Sequence, residues 1–85
     1  MNPLRILIVD DHPINIELAR FVLSADGFEV EIAADAEQAL ARISTSRPDL
    51  VLMDIQMPGT DGLALTQRLK LDPATQGIVV VAFTA

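Results

Sequence analysis

Cysteine, tryptophan and tyrosine are absent from these 85 residues, and three phenylalanines make up the whole aromatic content. Without cysteine, neither a disulfide framework nor a thiolate metal site can staple the chain, and a reducing compartment suits it as well as any other. The shortage of rings argues against a base-stacking platform. Positive charge is also scarce: six basic residues stand against twelve acidic ones, for a formal charge of −6. That balance opposes the phosphate neutralisation that dominates nucleic-acid affinity, so no nucleic-acid partner is expected. Long hydrophobic runs are missing as well. The longest, Ile78 to Phe83, falls far short of the roughly 18–20 residues that span a bilayer, and no membrane partner is expected. Near the N-terminus, Ile6-Leu7-Ile8-Val9 is too short for a signal-peptide core and is followed by two aspartates, not by a small-residue cleavage site. The chain is read as cytoplasmic. No Gly-rich phosphate loop, internal repeat or linker is present.

What is there is a regular alternation of strand-like and helix-like stretches within one small domain, which buries about 60–65% of the surface of its unfolded form. Arg5 to Asp10 is apolar and β-branched without alternation, as expected of a strand covered on both faces. Pro13 suits the first turn of a helix that runs to about Ala25 and is closed by Asp26-Gly27. On it, Ile14, Leu18, Phe21, Val22 and Ala25 form an apolar stripe that Ile16, Ala19 and Leu23 widen well beyond the usual arc of about 100°. So wide an arc predicts contact with a sheet and with a second neighbour.

Phe28 to Ala33 alternates apolar residues with Glu29 and Glu31, which predicts a strand at a sheet edge. Asp35, with Gln38 in the capping-box position, starts a second helix with Ala36, Ala39, Leu40 and Ile43 inward. Asp49 to Asp54 is another buried-type strand. Asp61 can cap a third helix carrying Leu65 and Leu69 and stopped by Asp72-Pro73, and Ile78 to Phe83 is a fully apolar strand. The order βαβαβαβ predicts a parallel sheet with helices on both faces. Ligands of such sheets sit beyond the carboxyl ends of the strands. Three of those ends carry Asp10-Asp11, Asp54 and Thr84, which should therefore converge.

Carboxylates gathered at one edge repel, each pair costing on the order of 4 kcal/mol at about 4 Å and an effective dielectric near 20. Either some protonate or a cation sits among them. All-oxygen, partly hydrated ligation is the chemistry of Mg²⁺, which leaves coordination positions for phosphate oxygens.

The stretches Leu7-Ile8-Val9-Asp10-Asp11, Pro48 to Gly62 with its Met53-Asp54-Ile55-Gln56-Met57-Pro58 core, and Thr84-Ala85 resemble the receiver domains of two-component response regulators, over the whole chain in order and spacing. The resemblance implies a flavodoxin-like (CheY-like) fold, a three-layer α/β/α arrangement, in which Asp54 is the phospho-acceptor. It implies that Asp11 and Asp54 ligate Mg²⁺ directly, Asp10 mainly through water, and Gln56 through its main-chain carbonyl. Thr84 matches the family's switch hydroxyl. The implied partner is a sensor histidine kinase or histidine phosphotransferase whose phosphohistidine Asp54 attacks. A rigid buried strand would hold the nucleophile at the rim, and Pro58 would limit the freedom of the loop after it.

Taken singly, the same residues have plainer readings: Asp10-Asp11 as a solvated strand end, His12 as an exposed cap-region residue, Lys70 as a solvated helix residue, Met53 and Met57 as packing and loop residues. It is their joint spacing that points to a phospho-acceptor. Receivers run to about five strands and five helices, so residues 1–85 are read as a partial receiver lacking the last two helices and the fifth strand. The phosphoryl-contacting lysine goes with them; Lys70, about 12 Å down its helix, cannot replace it. The fifth helix would be the missing neighbour of the first. Self-association through the exposed first helix and the fourth strand is therefore expected, with switching impaired. Two other functions remain open: a phosphorylation-incompetent dimerising or interaction fragment, and a Mg²⁺-dependent phosphoesterase. The latter is disfavoured because Gln56, not a carboxylate, lies two residues after Asp54.

Overall fold

A computed structural model describes residues 3–54 and 62–83 of the chain. Along it run β1 (Arg5–Val9), α1 (Pro13–Ala25), β2 (Glu29–Ala33), α2 (Ala36–Thr45), β3 (Leu50–Asp54), α3 (Gly62–Leu71) and β4 (Val79–Phe83). The strands make one parallel sheet in the order β2-β1-β3-β4. Strand order therefore reverses direction at β1, whose neighbours are β2 on one side and β3 on the other. This is the doubly wound, flavodoxin-like arrangement, and the crevice between the tips of β1 and β3 is its topological switch point. The alternating strand at Phe28 to Ala33 does lie at an edge, pairing only with β1 among the described residues.

Local chemistry accounts for the helix ends. Pro13 opens α1, and Gly27, at φ 89°, closes it. The Gly27 N–H donates to the Ser24 carbonyl and the Phe28 N–H to that of Leu23, which satisfies carbonyls that the helix leaves unpaired. At α2 the Asp35 carboxylate accepts from the Gln38 N–H at 2.8 Å. The Gln38 side chain reaches back to the Ala34 N–H at 3.0 Å, one residue before the cap itself. The Thr75 hydroxyl donates to the Leu69 carbonyl in the last turn of α3.

The core lies between the sheet and the pair α2 and α3. Leu7 and Val9 of β1, Ala33 of β2, and Val51 and Met53 of β3 pack with Ala39, Ile43, Leu65, Leu69 and Ile78. The opposite face alternates with this one along each strand and carries α1. Its rows are Val30-Ile6-Leu50-Val79 and Ile32-Ile8-Leu52-Val81. Cover fails along these rows: Ile8 is 1% exposed and Val81 is 42% exposed. On α1 the half-buried flank is Ile16, Ala19 and Leu23, and none of its residues is fully buried. Ile14, Leu18, Phe21 and Val22 stay exposed, Phe21 at 75%. The two-neighbour reading of the wide arc thus resolves into a flank on the sheet and a bare stripe.

Lys70 is an exposed residue of α3, as expected, and its ammonium also donates to the Ile78 carbonyl at 3.0 Å, tying α3 to the entry of β4, at the end of the sheet away from the strand tips.

Because one carboxylate secures the start of α2, Asp35→Ala should cost about 1 kcal/mol of stability, whereas Asp35→Asn should cost little. Urea unfolding followed by circular dichroism measures both.

Candidate functional site

Apolar residues carry β1 and β3 into the core, and each run ends on a carboxylate at the sheet's carboxyl edge. Val9 is in register with Met53, so the next residues, Asp10 and Asp54, stand at the tips of adjacent strands. Both are 1% exposed. Asp11 follows, with its side chain about one-third exposed. One ligand atom each from Asp10, Asp11, His12 and Asp54 lies within 4.8 Å of all the others. The expected convergence of Asp10, Asp11 and Asp54 is therefore present. Gln56 and Thr84, like Asp61 and the Met57-Pro58-Gly59 turn, lie outside the described residues.

His12 is the participant that sequence reasoning passed over. It is the N-cap of α1, as a cap-region residue should be, but its side chain makes no capping bond. Its ring turns back into the carboxylates. Nδ1 lies 2.8 Å from Asp10 Oδ1 and 3.2 Å from both Asp11 Oδ1 and Asp54 Oδ2. The His12 N–H also donates to Asp10 Oδ1, at 2.9 Å, which fixes the turn. The available signal was position: an imidazole directly after two acids at a strand end can fold back onto them.

This arrangement holds the His12 pKa above its ordinary 6.5. The hydrogen bond to Asp10 is the largest cause; partial desolvation opposes it, and the charges of Asp11, Asp10 and Asp54 add to it. A folded-state pKa above the unfolded value means that the protonated ring favours folding at pH below 6.5, a contribution lost as pH rises through the raised value.

Carboxylate oxygens are the hard donors that suit a divalent cation such as Mg²⁺. Asp10 Oδ2 is buried without a hydrogen-bond partner among the described residues, a costly state for a carboxylate oxygen unless charge is supplied from elsewhere. The residues present thus fit a metal ion.

Fold and site together define an open α/β domain with an acidic centre at its topological switch point. The profile of the response regulator receiver domain family matches residues 6–85, and the chain belongs to that family. Response regulator PleD of Caulobacter vibrioides is 44% identical over 81 residues, which is 95% of this chain and 18% of that protein. The N-terminal domain of a response regulator receiver protein from Methanoculleus marisnigri superposes with a TM-score of 0.89 at 38% identity, covering 95% of this chain and 66% of that one. The phosphorylated cyanobacterial phytochrome response regulator RcpA superposes with a TM-score of 0.87 at 30% identity, covering 96% and 65%. The chain thus spans under a fifth of PleD and about two-thirds of the solved receivers. Among the described residues, no helix is long and apolar enough to cross a membrane.

If the Asp10 contact is the main cause of the raised His12 pKa, Asp10→Asn should bring it down toward 6.5. Titration of the ring protons by NMR, in metal-free buffer, reads the shift directly.

Proposed function

We propose that this chain is a phospho-accepting receiver module in which Asp54 takes a phosphoryl group from the phosphohistidine of a sensor histidine kinase or histidine phosphotransferase. The observation that carries the reading is a buried carboxylate, Asp54, held beside Asp10 and Asp11 at the switch point of the sheet. An oxygen of Asp54 attacks phosphorus, the P–N bond of the donor breaks as the new O–P bond forms, and the donor imidazole leaves with the electron pair. The product is an acyl phosphate that water later hydrolyses. Strand β3 holds the nucleophile in place, so little orientational freedom is lost at the moment of attack.

Asp10, Asp11 and Asp54 would hold Mg²⁺, with the main-chain carbonyl of Gln56 completing the protein ligands and Thr84 supplying a hydroxyl to the phosphoryl oxygens. The ion, when bound, neutralises phosphoryl charge. The role is that of a signalling acceptor, not a turnover enzyme, and a phosphorylated relative among the similar structures supports it.

A second reading rests on the bare stripe of α1 and the exposed Val79 and Val81. As an isolated polypeptide, these 85 residues would self-associate through α1 and the β4 edge. In that case the chain acts by interaction, with the acidic pocket retained but unused.

Incubation with Mg²⁺ and acetyl phosphate should add one phosphoryl group by intact mass, and Asp54→Asn should abolish it. An unmodified chain would favour the interaction reading; turnover of a phosphoester with no adduct at Asp54 would favour a hydrolase.

Light scattering at micromolar concentration should show dimers or larger species, converted to monomer by Leu18→Glu combined with Phe21→Glu. A well-folded wild-type monomer contradicts the self-association.

A further inference from the structure

The C-terminal ends of α2 and α3 part around a cavity of about 470 Å³, within the roughly 300–1,000 Å³ range of small-molecule sites. The buried Ile43 and Leu69 and the half-buried Leu40 form its apolar base, and the exposed Arg47, Arg68 and Asp72 stand at its mouth. It lies toward the entry ends of the strands, at the opposite end of the sheet from Asp10 and Asp54.

The charges at the mouth distinguish this cavity. Arg5, Arg20 and Arg42 pair with Glu29, Glu17 and Glu31, and the Lys70 ammonium bonds to the Ile78 carbonyl. Arg47 and Arg68 form no ion pair among the described residues, although the chain carries a net charge of −6 and Asp72 lines the same cavity. Arg47 is nevertheless held in place. Its Nε donates to the Ala74 carbonyl at 3.2 Å, and its Nη2 lies so close to the chain at Gly77 that a Cβ there would stand 3.1 Å away. Asp72 is held as well: its Oδ1 accepts from the Ala74 N–H at 2.9 Å, which leaves Oδ2 for a ligand. Bonds from the Thr75 hydroxyl to the Leu69 carbonyl and from the Gln76 N–H to the Asp72 carbonyl brace the turn that carries these groups.

Such a set sorts its ligands by charge. A dianionic phosphate ester would meet Asp72 with like charge. A wholly apolar molecule would desolvate the guanidiniums without pairing them. A zwitterion with an aliphatic body satisfies every group at once, because a guanidinium matches a carboxylate in shape and charge.

We propose that the cavity between the C-terminal ends of α2 and α3 binds a free α-amino acid with an aliphatic side chain. Arg47 and Arg68 take its carboxylate, Asp72 takes its ammonium, and Leu40, Ile43 and Leu69 receive its side chain. The site is separate from the acidic centre and does not rest on phosphorylation of Asp54.

L-Leucine is the probe, titrated into the full 85-residue chain and followed through the backbone amide NMR spectrum. Saturable shifts should gather at the end of α2, at Arg47 and from Arg68 to Thr75, with a dissociation constant on the order of 1 mM. Arg68→Ala should weaken binding roughly fivefold or more. Gly77→Ala, which displaces the Arg47 guanidinium from outside the cavity lining, should weaken it in the same direction and serves where Arg47→Ala does not fold. Asp72→Asn should weaken leucine but not isocaproate, the analogue that lacks the ammonium, and isoamylamine, which lacks the carboxylate, should bind more weakly than leucine. The proposal is overturned if leucine gives no saturable shift at these residues, if Arg68→Ala leaves its affinity unchanged, or if isocaproate or inorganic phosphate binds the wild type as tightly as leucine does.

Discussion

Asp10 and Asp54, each 1% exposed, stand at the tips of neighbouring strands with Asp11 beside them. Their mutual repulsion has to be met by a positive group, and most of the site's geometry follows from that need. In the structure the His12 ring nitrogen sits among the three carboxylates. The sheet sets the repulsion in place because parallel register leaves the tips of β1 and β3 no freedom to separate. The apolar runs behind the acids serve the same end: Leu7, Val9, Val51 and Met53 anchor both strands in one core, so the charges are presented at the rim by a rigid base.

Much of this architecture was legible in the sequence, because strand and helix periods differ and the punctuation is strong. Unbroken apolar runs gave β1, β3 and β4, the glutamate alternation gave the β2 edge, and Pro13, Gly27 and Asp35 marked helix ends that the structure places where expected. Legibility stopped where the outcome depended on three-dimensional neighbours. The breadth of the apolar arc on α1 implied two neighbours, but periodicity cannot say that Ile16, Ala19 and Leu23 meet the sheet while Ile14 and Phe21 do not. Lys70 is the surface lysine it looked to be, but periodicity cannot show its bond to the Ile78 carbonyl, at 3.0 Å across the α3–β4 turn.

The site divides in the same way. Asp10, Asp11 and Asp54 could be brought together on paper because strand ends of one parallel sheet share an edge. His12 could not, since its role depends on a rotamer and on the N–H bond to Asp10 that turns the chain at the start of α1. Spacing arguments report which residue types share an edge; they do not report which side chains fold back onto it. Cover differs between the two sheet faces as well: Met53 is buried under α2 and α3, whereas Val81 on the opposite face is 42% exposed.

The strand order has a consequence for how the chain comes into being on a ribosome. Arg5 of β1 bonds to Asp49 at the entry of β3, 44 residues later. The first strand emerges long before that partner exists and can pair only with β2 in the interval, as a two-stranded ribbon of marginal stability. The long-range closure comes late, and with it the crowding of negative charge at the rim. Vectorial synthesis therefore defers the meeting of Asp10 and Asp54 until β3 has been made.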